Sequence, residues 1–240
     1  MNIVICDDYK KMSEKAAEIV ANKVSGKKCV LGLATGSTPE GMYSSLVEMN
    51  KAGKCDFSSV TTFNLDEYYP ISPDDSQSYR YYMNTKLFDL INIDKNNTNV
   101  PNGAAEDPDQ ECVAYDQKIA NAGGIDIQVV GIGPNGHVGF NEPGKELFAN
   151  THVTPLTPST IAANSRFFAS VEDVPTKALT MGMKSILSAK SILLVVSGAN
   201  KHAPLTKLLN GTISTDCPIT FLNLHNDVTL VCDREAYYGA

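Results

Sequence analysis

The chain has 240 residues, 42% of them apolar and 20% charged, with a net charge of −7 and a pI near 5.1. That composition suits an ordinary globular core. It excludes nucleic-acid binding as the main task, because the basic footprint is missing, and no apolar stretch approaches the ~20 residues a membrane-spanning helix needs.

Met1 to Cys6 reads as a first strand. Tyr9 to Val24 carries Met12, Ala16, Ile19, Val20 and Val24 at helical spacing, which predicts a helix covering one sheet face. Cys29 to Ala34 is a buried-type strand, and a helix runs from Pro39 to about Lys51. Val60 to Leu65 is strand-like, Gln77 to Leu90 a tyrosine-rich helix, Asn97 to Val100 a short strand and Pro108 to Ala122 a helix. Ile125 to Gly131 is the next strand. Gly144 to Val174 fits neither period. A stretch of this kind in a compact domain is more often a functional excursion or lid than a connector. Pro175 is expected to open a helix to about Ala189. Ser191 to Ser197 is a strand, Asn200 to Leu209 a helix, and Ile219 to Leu222 and Val228 to Cys232 are strands. Strands alternating with helices imply an α/β fold with a mostly parallel sheet covered on both faces. No linker or repeat divides the chain, so one domain over residues 1–240 is expected, with a lid-like excursion at about 144–175.

Six cysteines form no C-x-x-C and no zinc spacing. They read as free thiols in a reducing compartment. Asp7 and Asp8 make the start too polar for a signal peptide. A cytoplasmic location follows as an expectation.

Four places carry polar groups that end strands or start helices. Thr35-Gly36-Ser37-Thr38 lies between a strand and Pro39. Ser37 and Glu40 have capping-box spacing, and the glycine, hydroxyls and helix N-terminus suit an anion. Taken alone, the loop is equally a well-capped helix start. Asp66 and Glu67 follow the Val60 to Leu65 strand, where a partly buried carboxylate can serve as a base or the pair can be a polar strand end. Gly131 to Pro143 contains G-x-G-x-x-G, but Pro134, Gly139, Pro143 and Gly144 leave no room for the helix a dinucleotide site requires. His137 and Glu142 remain there as an imidazole beside a carboxylate, suited to acid/base work or to a structural contact. Arg166 and Lys201 are two cations at expected rims. Each is a surface charge or, with the Thr35 to Thr38 loop, part of a phosphate clamp.

With these places together, L-x-T-G-S-T-P, N-x-D-E-Y and G-I-G-x-[DN]-G-H-x-x-F-N-E-P resemble the glucosamine-6-phosphate deaminase family over nearly the whole chain. The resemblance implies a Rossmann-like three-layer α/β sandwich without a dinucleotide, shared with 6-phosphogluconolactonase. It implies isomerisation and deamination of glucosamine 6-phosphate to fructose 6-phosphate and ammonia, in amino-sugar catabolism, with no metal or other cofactor. Water attack on an imine gives the reaction a hydrolase label. Thr35, Gly36, Ser37, Thr38, Arg166 and Lys201 match phosphate-binding positions. His137 matches the group that opens the sugar ring between O1 and O5, and Glu142 its carboxylate partner. Asp66 matches the base between C2 and C1, with Glu67 helping to shape the site. Asn135 stands where many members have aspartate. An amide can orient the imidazole but carries no charge, which leaves that task to Glu142.

Allosteric members of the family are hexamers that bind N-acetylglucosamine 6-phosphate through basic residues about ten to twelve positions after N-E-P and have a longer tail. This chain has His152, Thr154 and Pro155 there and ends at Ala240. No such activation is expected, and a monomer or small homo-oligomer is. Two other readings stay open: a 6-phosphogluconolactonase, for which D-E-R rather than Asp66-Glu67-Tyr68 would be expected, and a non-catalytic sugar-phosphate sensor, for which no helix-turn-helix segment is present.

Overall fold

The structure, a computed structural model, describes residues 1–24, 27–157, 161 and 174–239. Seven parallel strands form one sheet: β1 (Asn2–Cys6), β2 (Cys29–Leu33), β3 (Val60–Asn64), β5 (Thr98–Asn99), β6 (Ile127–Val130), β9 (Ile192–Val196) and β10 (Val228–Asp233). Three more strands, β4 (Asp66–Tyr69), β7 (His152–Pro155) and β8 (Lys177–Thr180), lie in a second sheet. The spatial order of the first is β1-β10-β9-β6-β2-β3-β5. From β2 the chain builds outward through β3 to β5. It then returns to β6, on the other side of β2, and builds through β9 to β10. The order therefore reverses between β2 and β6, and the crevice at such a switch point is where α/β sheets bind ligands.

Both faces of the large sheet are covered, which is why β2, β6 and β9 are apolar almost throughout rather than alternating. On one face α1 (Tyr9–Val24) and α2 (Glu40–Lys51) pack Met12, Ala16, Val20, Leu46 and Val47 against Leu31, Leu33 and Val129. On the other, α4 (Pro108–Asn121), the helices Met183–Leu187, His202–Leu209 and Arg234–Tyr238, and a 3-10 segment at Pro218–Leu224 cover Val30, Val130, Leu194 and Leu230. Truncating a fully buried leucine such as Leu31 to alanine at this depth costs ~2–5 kcal/mol.

Five expectations change. Asp66–Tyr69 does not simply end the Val60 to Leu65 strand but forms a separate strand, β4, in the antiparallel sheet of order β4-β8-β7. The helix expected from Pro175 is the strand β8 followed by the short helix Met183–Leu187. Each β8 residue pairs with one of β4, from Asp66↔Thr180 to Tyr69↔Lys177. The irregular excursion contributes β7 to the same sheet. Ile219 to Leu222 lies inside the 3-10 segment, because Pro218 withholds a ladder donor at its start and four apolar residues do not specify a strand. The tyrosine-rich helix is split into α3 (Tyr79–Met83) and a π-turn (Asn84–Phe88). Among the described residues no helix is long and apolar enough to cross a membrane, and all six cysteines are free thiols.

Candidate active site

A cavity of about 260 Å³ opens at the carboxyl ends of β2, β3, β6 and β9. Its wall includes Thr35 to Thr38 after β2, Asp66 after β3, Gly133, His137 and Gly139 after β6, and Lys201 after β9. Residues more than 160 positions apart in the chain therefore face one space. A wider groove of about 590 Å³ lies between α1 and α2, but its charges, Lys10, Glu14, Glu48 and Lys54, are mixed and its rim holds none of these strand-end groups.

The first wall is an anion cradle. Gly36 has φ of +97°, a left-handed conformation that turns the chain sharply into α2. Three tyrosine hydroxyls occupy carbonyls of the loop. Tyr43 donates to Ala34 O, Tyr82 to Gly36 O at 2.7 Å and Tyr9 to Ser37 O at 3.0 Å. Among the described residues, the backbone N–H groups of Ser37 and Thr38 have no acceptor within the chain. The expected capping box does not form. The residue before α2 is Pro39, without a side-chain cap, and Glu40 pairs with Lys86 at 3.2 Å. The Ser37 hydroxyl is thus not consumed by the helix start. Lys201 faces the same space from the 3-10 turn Ala199–Lys201. Burial lowers its pKa, and among the described residues no carboxylate pairs with it. An anion placed there would oppose that lowering and favour the charged ammonium. Arg166, the other cation expected in this clamp, lies outside the described residues.

The second wall is a carboxylate pair with divided tasks. β4 leaves Asp66 5% and Glu67 1% exposed. Successive strand residues face opposite sides, and only Asp66 of the two lines the cavity. Glu67 instead accepts the backbone N–H groups of Tyr68, Tyr79 and Arg80 at 2.8–2.9 Å, binding the N-terminus of α3. Its place is therefore behind the site and not among the lining residues. Burial pushes Asp66 up to about 8, and the neighbouring Glu67 adds to the rise. Burial also pushes Glu67 up to about 7, against the pull of the three N–H groups and of Arg80. The three N–H donors and Arg80 favour the charged form of Glu67, whereas burial and the neighbouring carboxylate both favour the protonated form of Asp66.

The third wall carries the imidazole. Gly133 N–H donates to His137 O, and Gly136 N–H to Gly133 O, both at 2.9 Å, so the G-x-G-x-x-G stretch is a tight turn and not a nucleotide loop. A Cβ on Gly133 would lie 2.2–2.3 Å from three atoms of the His137 ring. The glycine is the space the imidazole occupies. Gly139, with φ of +58°, lets the chain pass Asp66, since a Cβ there would sit 3.2 Å from Asp66 Oδ2. Asn141 pins the turn to β8 by donating to Met181 O at 2.8 Å. His137 Nδ1 lies 3.4 Å from Glu142 Oε1, too long for a good hydrogen bond but close enough for electrostatic attraction. Asn135 accepts from the His137 backbone N–H at 3.2 Å and donates to Glu142 Oε2 at 2.7 Å. The amide thus ties the His137 backbone, not its imidazole, to the Glu142 carboxylate.

Four tyrosines of this site escaped the sequence reading: Tyr9, Tyr43 and Tyr82, which hold the loop, and Tyr79, which lines the cavity. The visible signal was the concentration of tyrosine at residues 79–82.

The chain is also similar to known proteins. The family model for glucosamine-6-phosphate isomerases and 6-phosphogluconolactonase matches residues 7–231. A glucosamine-6-phosphate deaminase of Thermoanaerobacter sp. (strain X514) is 53% identical over 98% of this chain and 94% of its own. That of Clostridium perfringens (strain 13 / Type A) is 51% identical over 98% of both chains. The solved structure of a monomeric glucosamine-6-phosphate deaminase superposes with a TM-score of 0.96 at 46% identity, covering all of both chains. The 6-phosphogluconolactonase of Thermotoga maritima shares the fold, with a TM-score of 0.76 at 22% identity over 97% of this chain and 98% of its own.

Proposed function

The chain belongs to the glucosamine-6-phosphate isomerase/6-phosphogluconolactonase family, and on that premise we propose that it is a glucosamine-6-phosphate deaminase, releasing ammonia and fructose 6-phosphate. The observation that carries this reading is the shared cavity, in which the Asp66 carboxyl and the His137 imidazole face the same space as the anion cradle and Lys201. A carboxyl over one end, an imidazole beside it and a phosphate grip at distance are what a sugar phosphate undergoing proton transfer requires.

In this reading the phosphate binds the N–H groups and hydroxyls of Ser37 and Thr38, with Lys201 supplying charge. His137, its backbone held by Asn135 and its charge balanced by Glu142, moves the proton between O1 and O5 that opens the ring. Asp66 then carries a proton from C2 to C1. Water adds to the resulting C2 imine and ammonia leaves. A carboxyl held near pH 8 is a strong base once ionised, and the substrate's own ammonium favours that ionised form. We classify the activity as isomerisation coupled to deamination and not as hydrolysis, because the central step moves a proton within the substrate. A place in amino-sugar catabolism, a cytoplasmic setting for the six thiols, a single domain and a monomer or small homo-oligomer complete the proposal. The monomeric relative supports the last of these.

The deciding experiment measures ammonia from glucosamine 6-phosphate beside hydrolysis of 6-phosphogluconolactone. Ammonia release without lactone hydrolysis is expected. Lactone hydrolysis alone would replace the proposal with the lactonase reading.

A further inference from the structure

The anion cradle is braced by residues that do not line it. Gly36, Ser37 and Thr38 line the cavity, whereas Tyr9 and Tyr82 do not. Tyr82, in α3, donates its hydroxyl proton to Gly36 O at 2.7 Å. Tyr9, at the start of α1, donates to Ser37 O at 3.0 Å and accepts the Gly41 N–H at 2.8 Å. The other donor to the Ser37 carbonyl is the Glu40 N–H, at a longer 3.4 Å. A Cβ on Gly41 would lie 3.0 Å from the Tyr9 hydroxyl oxygen, so glycine leaves room for that contact.

Gly36 O and the Ser37 N–H belong to one peptide group, and Ser37 O and the Thr38 N–H to the next. Both groups are trans, and in a planar trans peptide the C=O and N–H point opposite ways. Each hydroxyl, by fixing a carbonyl, fixes the direction of the N–H beyond it. The Ser37 N–H points away from Tyr82 and the Thr38 N–H away from Tyr9.

We infer that Tyr9 and Tyr82 are positioning residues that hold the Ser37 and Thr38 N–H groups ready for the phosphate of the substrate. Gly36 has no Cβ and a φ of +97°, so the peptide that follows it is the easiest in the loop to turn over. Turned over, it would present a carbonyl oxygen to the anion and repel it. The tyrosine bonds oppose that turn before the ligand arrives. They remain once it has bound, because they use the carbonyl side of each peptide and the phosphate uses the N–H side. Less of the loop must then be ordered on binding. A carbonyl that accepts a hydrogen bond also makes the N–H of its own peptide a stronger donor.

The inference rests on the deaminase reading for the identity of the substrate, and its test reads inorganic phosphate separately. Tyr82→Phe and Tyr9→Phe each keep the ring and remove the hydroxyl. Calorimetric titration with inorganic phosphate is expected to show affinity about fivefold weaker in each and weaker still in the double variant. KM for glucosamine 6-phosphate should rise in parallel, with kcat changed less than about twofold. A general loosening of the fold would not give that split. Tyr81→Phe removes a hydroxyl of the same helix that reaches neither carbonyl, and it should bind phosphate like the unmodified chain. Phosphate affinity within about twofold of the unmodified chain in either variant, an equal loss in Tyr81→Phe, or no phosphate binding by the unmodified chain would overturn the inference. So would a fall in kcat with KM preserved. If Tyr82→Phe does not fold, Tyr9→Phe decides by the same criteria, since Tyr9 is 38% exposed and outside the core. The two readings fail separately. No ammonia from a chain whose phosphate binding weakens in the variants would sink the deaminase reading and leave the role of the tyrosines. Ammonia release with phosphate binding unchanged in the variants would do the reverse.

Discussion

The side-chain amide of Asn135 donates to Glu142 Oε2 at 2.7 Å, leaving Oε1 of the same carboxylate 3.4 Å from the His137 imidazole. An uncharged side chain thus aims a charged one. Asn135→Ala removes the bond to Glu142 and the acceptor for the His137 N–H together. We expect kcat to fall about tenfold, a modest part of what positioned acid/base groups contribute, while KM stays within about threefold because the cradle is untouched. Steady-state kinetics check this. A rise in KM with kcat unchanged would show that the amide serves binding instead.

Asp66→Asn should reduce turnover by about a thousandfold or more while leaving competitive binding of inorganic phosphate intact. It also carries a stability signature with a definite sign. The folded chain holds the Asp66 proton up to about pH 8, whereas an ordinary aspartate loses it near 3.8. The folded state therefore binds more protons across that window, and stability falls as pH rises through it. Asparagine has no proton to lose. The stability of Asp66→Asn relative to the unmodified chain should increase from about pH 4 to about pH 8 and then level off. Urea denaturation at several pH values reads this directly, and a difference that shrinks with pH would contradict the buried carboxyl.

Gly133→Ala places a methyl group where the His137 ring now lies, 2.2–2.3 Å from its atoms. The imidazole must rotate away from Glu142. Turnover should fall about a hundredfold, within the range attributed to a misplaced acid/base group, and the far-ultraviolet circular dichroism should be unchanged. Full activity would show that the ring has room to move aside without loss.

Lys201→Met keeps the length of the side chain and removes its charge. KM for the phosphorylated substrate should rise on the order of tenfold or more, with kcat changed much less, and inhibition by inorganic phosphate should weaken in parallel. A fall in kcat with KM preserved would assign Lys201 to the chemistry.

Much of this site was legible because its residues follow strand-like runs directly. Leu31 to Leu33 ends in Thr35 to Thr38, and Ile127 to Val130 ends in the glycine turn, so apolar patterning alone placed both at one rim. The second sheet was hidden. β4 is separated from β3 by Leu65 alone, its sequence Asp-Glu-Tyr-Tyr shows no apolar alternation, and its partner β8 lies more than a hundred residues later behind a proline that looked like a helix start. The role of Glu67 was hidden for a related reason, since it depends on the N–H groups of Tyr79 and Arg80, which a distant turn brings to it. Only Cβ geometry shows why Gly133 is glycine.

The reversal of strand order between β2 and β6 divides labour as well as space. The cradle and Asp66 belong to the stretch before α4. His137, Glu142 and Lys201 belong to the stretch after α4 begins. In the proposed mechanism grip and base come from one half of the polypeptide, ring opening and the counter-charge from the other, and the residues meet along a single seam. β1 crosses to the far edge and pairs with β10, so the opening residues of the first half complete the sheet of the second. Neither half contains a working remnant of the site, and a cut between them with separation of the pieces would leave two partial surfaces and no enzyme.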